Sequence, residues 1–357
     1  MSKSLRTLRR WAISSTLFPE TTLPDALNTL GFVQADPIRS PARAQELILR
    51  QRVKNYRIGD LDANYAALTL EEDYLYAYGF MPASTWQVLH PRASGSLTPM
   101  EQELLAIVSE NSQLHPASLR KVFGDVKEPN AWGGHSKVST KALERLHYRG
   151  LIRVAGRKGG IKLYGKANPI NEARMPNERL DFLILLVAKI LCPISEGSLR
   201  AALGHLRHAS PELTGRAAAL SGLIKRGMLQ VQAVDQVRYV APADSGPVAE
   251  QEDAVRFLAP FDPLVWDRRR FEHLWGWAYR FEAYTPPSKR KMGYYAMPLL
   301  WRDSVIGWVN VSGGGALYHI EPGFISGKAP TSATFRRAFE AEESKLRSFL
   351  CPRSTLG

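Results

Sequence analysis

Hydrophobic positions along this chain follow two different periods, and the period changes near residue 254. Before that point, apolar residues recur mostly every three or four positions, which is typical of amphipathic helices. Beyond it, the stretch FEAYTPPSKRKMGYYAMPLLWRDSVIGWVNVS alternates aromatic and β-branched residues between turn signals, which predicts short antiparallel strands. The run ATFRRAFEAEESKLRSFL near the end returns to helical spacing. We therefore expect an α+β protein with a small antiparallel β-domain towards its C-terminus.

Two stretches of the helical part predict the same order of elements. Residues 99–168 read as three short helices followed by a hairpin around GRKGG, and residues 176–242 repeat that order. The segments LERLHYRGLIRV and LSGLIKRGMLQV occupy equivalent places in the two copies. Three short helices and a hairpin make up a winged helix, whose third helix is the usual reader of a DNA groove.

The first segment could hold a third such unit, so the sequence predicts tandem winged-helix domains. Linkers rich in Pro, Gly or Ser separate the segments, at HPRASGSLTP and at DSGPVAEQEDA. The predicted domains are a winged-helix-like domain at 1–95, a second winged helix at 96–170, a third at 171–243, a β-domain at 244–330 and a final helix at 331–357.

The charge of the chain predicts a polyanionic partner. Its 47 Lys and Arg residues outnumber 34 Asp and Glu residues, which gives a formal net charge of +13. A protein this basic usually binds nucleic acid or an anionic membrane surface. The third helix of the second domain carries basic residues at a spacing of four along one face, and a solvated helix face is the alternative interpretation. The candidate DNA contacts here are Ser136, Lys137, Lys141 and Arg145.

Further basic residues lie in the first and fourth domains. SKRKMGYY places three cations next to two tyrosines, which could stack on bases, wedge into a groove or simply pack in the core. A helix predicted from Asp36 onward would carry a stripe of arginines. The candidate DNA contacts from these segments are Arg39, Arg43, Arg50, Lys289, Arg290, Lys291 and Tyr294.

Several other classes of function lack their signatures. Cys192 and Cys351 are the only cysteines, so no disulfide framework or cysteine metal cluster is expected. HExxH and GxxxxGK[ST] motifs are absent, and the longest apolar run, 180–194, is too short to span a membrane. We therefore expect no metal and no cofactor, and a cytoplasmic protein near the chromosome that works as a monomer.

Gln34 and Asp36 are the candidate catalytic residues. They stand two positions apart in a short extended run, so their side chains should face the same side. The competing interpretation is structural, because Asp36 followed by Pro37 is a common way to begin a helix. The residues alone leave both possibilities open.

The segment LGFVQADPIRSPARAQELILRQRV resembles the N-terminal signature of the AlkZ-like DNA glycosylases of the YcaQ/AlkX type. Their motif is Gln-x-Gln in one branch and Gln-x-Asp in the other, and Gln34-Ala35-Asp36 matches the second. The resemblance continues at GGHSKVSTKALERLHYRGLI and again from residue 258 to 311, so it covers nearly the whole chain in the right order. One departure is Tyr76 in EDYLY, where family members often have His, which puts in doubt the lesions that are accepted.

The resemblance implies three winged helices and a β-domain arranged as a C around a DNA channel. It also implies a monofunctional glycosylase that releases N7-alkylated purines, including interstrand crosslinks, from double-stranded DNA in base excision repair. Asp36 would act as the general base and Gln34 would hold the attacking water. The alternative is a winged-helix regulator or architectural protein without catalysis, which would have the same charge and the same tandem units.

Overall fold

A computed structural model describes residues 5–92, 95–129, 133–169, 174–247, 252–314 and 317–351. Parts of both predicted linkers, 93–94 and 248–251, lie outside the described residues. The fold is mixed α and β with several small antiparallel sheets. In the described ranges, no helix combines the length and the apolar character needed to cross a lipid bilayer.

The α-helices are, in chain order, α1 (Leu5–Thr16), α2 (Leu23–Leu30), α3 (Ala44–Leu49), α4 (Asp60–Asn64), α5 (Ala83–Leu89), α6 (Pro99–Ser109), α7 (Arg120–Phe123), α8 (Val138–Tyr148), α9 (Pro176–Ile190), α10 (Glu196–Gly204), α11 (Leu206–Ala209), α12 (Arg216–Lys225), α13 (Pro263–Trp266), α14 (Arg268–Trp275) and α15 (Ala333–Leu350). Short 3₁₀ turns occupy Tyr65–Ala67, Pro116–Leu119 and Pro287–Lys289.

The strands are β1 (Val33–Gln34), β2 (Leu70–Tyr74), β3 (Tyr78–Pro82), β4 (Lys127–Pro129), β5 (His135–Lys137), β6 (Ile152–Lys158), β7 (Ile161–Lys166), β8 (Ile194–Ser195), β9 (Leu229–Val234), β10 (Val237–Pro242), β11 (Val255–Phe257), β12 (Met297–Trp301), β13 (Ser304–Gly314) and β14 (Leu317–Phe324). The chain forms two compact units, one of residues 1–61, 180–204 and 215–357, the other of residues 62–179 and 205–214.

The helical elements of the first unit follow the predicted pattern at its N-terminus. Helix α1 is amphipathic and inserts Leu8 and Trp11 into a core shared with α13 and α14. Helix α2 begins at the Thr22 cap and ends at Gly31, whose φ of +68° favours glycine. A side chain at Gly31 would also meet Leu186 of α9, since an added Cβ would lie 2.6 Å from its Cδ1.

The helix predicted to begin at Asp36 begins instead at Ala44, so that prediction is wrong. Residues 35–43 have no regular helix, and Arg43 is the residue that precedes α3. Pro41 gives the physical reason, because a proline in the second turn lacks an N–H and disfavours the helical conformation of the residue before it. The motif Gln34-x-Asp36 therefore lies at the end of a strand and in an extended loop.

The C-terminal part of the first unit is an antiparallel sheet of order β11-β12-β13-β14, as the alternating pattern predicts. Gly307 pairs with Phe324, and an added Cβ there would lie 2.0 Å from the carbonyl oxygen of Gly323. Helix α15 packs on β11 through Glu342, whose buried Oε1 accepts a hydrogen bond from the backbone N–H of Phe257 at 2.9 Å. Residues 293–295, which lead into β12, line a cavity together with residues 39–41.

The second unit contains the hairpin β2–β3, helices α5 to α8 and the hairpin β6–β7, with the shorter pair β4–β5 between α7 and α8. The GRKGG turn falls at the tip of β6–β7, as predicted. Tyr76 is buried in the turn that follows β2. Close by, Asp73 contacts His90 Nε2 and accepts a hydrogen bond from Arg92 Nη1 at 2.9 Å. Burial opposes ionisation, but these partners hold the pKa of Asp73 at about 2.

Candidate active site

Gln34 ends strand β1, and Asp36 follows two residues later in the extended loop. The Asp36 carboxylate caps no helix; its Oδ1 accepts a hydrogen bond from the backbone N–H of Ile38 at 2.9 Å. The backbone N–H of Asp36 donates to Gln45 Oε1, a buried side chain of α3, at 3.3 Å. The loop is thus fixed through its backbone, and the second carboxylate oxygen of Asp36 is not used by this turn.

Partial burial gives the Asp36 carboxylate an unusual electrostatic setting. Removal from water raises its pKa above the ordinary 3.8, and the hydrogen bond from Ile38 offsets part of that rise. A carboxylate with a raised pKa accepts a proton more readily than an exposed one, which favours its use as a general base.

A cavity of about 490 Å³ opens beside this motif. On one side it is lined by Arg39, Ser40 and Pro41, which directly follow the Asp36 turn. On the other side lie the loop before β12 and the facing strands β13 and β14. The lining residues from that side are Gly293, Tyr294, Tyr295, Asn310, Val311, Ser312, Gly313, Tyr318 and Glu321.

The loop that carries Tyr294 is held in place by a buried carboxylate. Glu282 accepts hydrogen bonds from the backbone N–H groups of Lys291, Met292 and Gly293. Although burial opposes it, these donors lower the pKa of Glu282, which stays charged. The bonds use only the backbone of Lys291, so its side chain remains exposed on the surface.

Three predicted DNA contacts lie at or next to the rim of the cavity. The ring of Tyr294 is 42% exposed, and the guanidinium carbon of Arg290 lies 5.0 Å from its centroid. Arg39 is exposed on the opposite side of the same cavity. These groups are about 250 residues apart in the sequence, and the fold brings them together around one opening.

The family model of AlkZ-like DNA glycosylases matches residues 27–349 of this chain. The chain belongs to the AlkZ-like DNA glycosylase family. The matched region contains Gln34, Asp36 and all the residues that line the cavity. No solved structure matches the chain significantly. Family membership supports a DNA glycosylase function with DNA as the substrate.

Two arginines near the Gln34-x-Asp36 motif of this AlkZ-like chain are mostly buried and form ion pairs within the protein. Arg50 has a side chain only 3% exposed, and its Nη2 donates to Glu342 Oε1 at 2.8 Å and to the carbonyl of Phe257 at 3.0 Å. Such a buried, paired guanidinium is out of reach of phosphate, which corrects the expectation for Arg50. Arg43 is mostly buried and pairs with Glu46 at 2.9 Å.

The basic face predicted in the second unit is present, but acids accompany it. Lys137 Nζ lies 2.6 Å from Asp125 Oδ1, and Arg145 Nε donates to Glu101 Oε1 at 2.7 Å. Lys141 Nζ lies 3.1 Å from Glu128 Oε1. Lys137 and Arg145 are still 42% and 51% exposed, although Glu101, the partner of Arg145, is buried. Ser136 precedes them in β5.

Tyr295 is the second tyrosine of SKRKMGYY, for which the sequence leaves base stacking, groove insertion and core packing all open, and it is not among the predicted DNA contacts. It is 2% exposed and lines the cavity together with Tyr294. Its place beside SKRKMG was visible in the sequence, but the alternation of strand residues could not decide which tyrosine faces inward. For the described ranges, no group of three or more His, Cys, Asp or Glu side chains is arranged to hold a metal ion.

Proposed function

We propose that this protein is a monofunctional DNA glycosylase that hydrolyses the N-glycosidic bond of N7-alkylated purines, including purines joined in interstrand crosslinks. The observation that carries the proposal is the position of Asp36. The carboxylate caps no helix, has a raised pKa and lies where the loop turns into the wall of a cavity. Membership in the AlkZ-like DNA glycosylase family supports the same reaction class.

The chemistry explains why one carboxylate is enough. Ordinary glycoside hydrolases need a second carboxyl group because the leaving oxygen has to be protonated. An N7-alkylated guanine already carries a positive charge, and breaking its glycosidic bond relieves that charge. The remaining tasks are to stabilise an oxocarbenium-like sugar and to deprotonate a water molecule.

Asp36 and Gln34 divide these tasks between them. The charged carboxylate of Asp36 stabilises the developing cation and accepts the proton of the attacking water. The Gln34 amide, which can donate and accept hydrogen bonds, orients that water. No lysine is assigned a lyase role, so the product is an abasic site in an uncut strand.

The remaining predicted contacts bind the duplex. Arg39, Lys289, Arg290 and Lys291 contact phosphates near the cavity, while Tyr294 packs against a sugar or base. In the second unit, Lys137 at the end of β5 and Lys141 and Arg145 on helix α8 form one basic face of a winged helix. Tandem winged helices acting on a lesion in duplex DNA require no further partner.

A lesion panel tests this function. Duplexes carrying N7-methylguanine, a bulky N7 adduct or an N7 crosslink are incubated with the protein, and abasic sites are revealed by alkaline cleavage. We expect the strand to be cut at the lesion only when alkali follows incubation with the protein. This cleavage should exceed that of duplex treated with alkali without protein, and undamaged DNA should stay uncut. A regulator would instead leave every lesion intact and prefer one undamaged sequence, which would contradict the proposal.

A further inference from the structure

Two buried polar atoms near Asp36 have no hydrogen-bond partner among the described residues. They are Oε1 of Gln34 and the hydroxyl oxygen of Tyr295. A buried polar atom without a partner is costly, so each such atom in a folded protein calls for a specific reason, often a water molecule or a ligand. Two such atoms near the same carboxylate indicate a small polar site.

The two atoms belong to different chain segments, each of which contributes other residues to the lining of the cavity. Gln34 ends β1, and only Pro37 and Ile38 lie between Asp36 and Arg39, which is part of the cavity wall. Tyr295 lines the same cavity from the loop before β12, and its ring packs edge-on against Phe281 with centroids 5.3 Å apart. Burial, followed by the nearby charge of Asp36, raises the pKa of the Tyr295 phenol well above its ordinary value. The phenol is therefore a permanent O–H donor.

Resting on the proposed glycosylase function, we propose that Tyr295 is a positioning residue that holds the attacking water against Asp36 and Gln34. Water offers two hydrogens and two lone pairs. It donates one hydrogen to the Asp36 carboxylate and the other to Gln34 Oε1, and it accepts the hydrogen of the Tyr295 hydroxyl. One lone pair is left, and it points at C1′ of the sugar.

The step balances with no other reactant. The oxygen of the water forms a bond to C1′. At the same time, the O–H bond that points at Asp36 breaks, and its proton moves to the Asp36 carboxylate. The electron pair of the glycosidic bond leaves with the alkylated base, which departs neutral. Tyr295 keeps its proton throughout and fixes the direction of attack.

The Tyr295→Phe variant separates positioning from structure. Because the hydroxyl has no partner among the described residues, its removal should leave the melting temperature unchanged or higher. We expect the single-turnover rate on N7-methylguanine duplex to fall about tenfold or more, with duplex affinity unchanged. Loss of a polar neighbour should also raise the pKa of Asp36 and move the acid limb of the pH–rate profile to higher pH.

Tyr279→Phe is the matched control, since the buried Tyr279 hydroxyl donates to the carbonyl of Ala296 at 2.7 Å. It should lower the melting temperature and leave the rate and the acid limb unchanged. A wild-type rate and acid limb in Tyr295→Phe, with Asp36→Asn inactive, overturns the assignment of Tyr295 and leaves the proposed function standing. Retained activity in Asp36→Asn overturns the proposed function itself.

Discussion

A carboxylate that serves as a general base must be charged at the working pH, and its oxygens must be available to a water molecule. The sequence leaves open whether Asp36 meets the second condition, because Asp before Pro often caps a helix. The structure answers this point: helix α3 starts eight residues later, and only Oδ1 takes part in the turn with Ile38. The helix-cap interpretation of the Asp-Pro pair is therefore wrong, and Asp36 Oδ1 instead closes a turn with Ile38.

The raised pKa of Asp36 predicts a pH dependence of the reaction. As pH falls through that pKa, the base is protonated and the rate declines, so the acid limb should lie above the ordinary 3.8. Protonation of Asp36 lowers the rate, but it favours the folded state. A carboxyl group whose folded pKa exceeds its unfolded value binds its proton more tightly in the folded state, so protonating Asp36 does not unfold the chain.

This prediction is checked by single-turnover rates between about pH 4 and 8, with a melting curve at each pH. The rate should fall on the acid side while the protein remains folded. A rate that stays constant down to the ordinary pKa of an exposed aspartate would show that Asp36 does not act as the base.

At the scale of elements, the sequence predicts features that depend on local patterns, and it does not predict those that depend on long-range contacts. Helices α1 and α2, the β6–β7 hairpin, the C-terminal sheet and α15 follow from periodicity, caps and turn residues, which are local properties. The start of α3 was missed, although Pro41 was the available signal. The burial of Arg50 was beyond sequence reasoning because its partner Glu342 is 292 residues away.

The Arg50–Glu342 pair gives a prediction about the docking of α15. Arg50→Met removes the cation and leaves Glu342 charged and buried, where it still accepts hydrogen bonds from Gln51 and Phe257. We expect the free energy of unfolding, measured in urea, to fall by about 3–5 kcal/mol. The DNA affinity of the folded fraction should not change.

Lys345→Met on the same helix is the control, since Lys345 forms an exposed pair with Glu20 at 2.9 Å. Its cost should stay below about 1 kcal/mol. If Arg50→Met unfolded no more easily than this control and instead weakened DNA binding, Arg50 would be a phosphate contact after all.

For the whole molecule, the net charge is positive, yet several cations of the predicted binding face pair with acids. The formal charge of +13 predicts a polyanion but not the surface that binds it. Lys137 and Arg145 pair with acids, and the proposed binding mode requires that they exchange these partners for phosphates. The predicted domain boundaries, and the assignment of both repeats as winged helices, stay predictions.

The dependence of DNA affinity on salt tests the choice of binding face. Lys137→Ala and Arg145→Ala should each weaken binding and reduce the slope of log affinity against log salt by about 0.9 for each phosphate that the variant no longer neutralises. Arg226→Ala is the matched control, because Arg226 is similarly exposed and pairs with Asp181. Slopes equal to wild type in both Lys137→Ala and Arg145→Ala would show that another surface binds DNA.

The most direct measurement of the central claim is the release of N7-methylguanine from duplex DNA by Asp36→Asn under single-turnover conditions. The Asn Oδ1 can still accept the Ile38 N–H, so the variant should melt like wild type while its rate falls by about 100-fold or more. Loss of the rate in a folded protein is the result that the account predicts. Release at the wild-type rate by folded Asp36→Asn would contradict it and remove Asp36 from the mechanism.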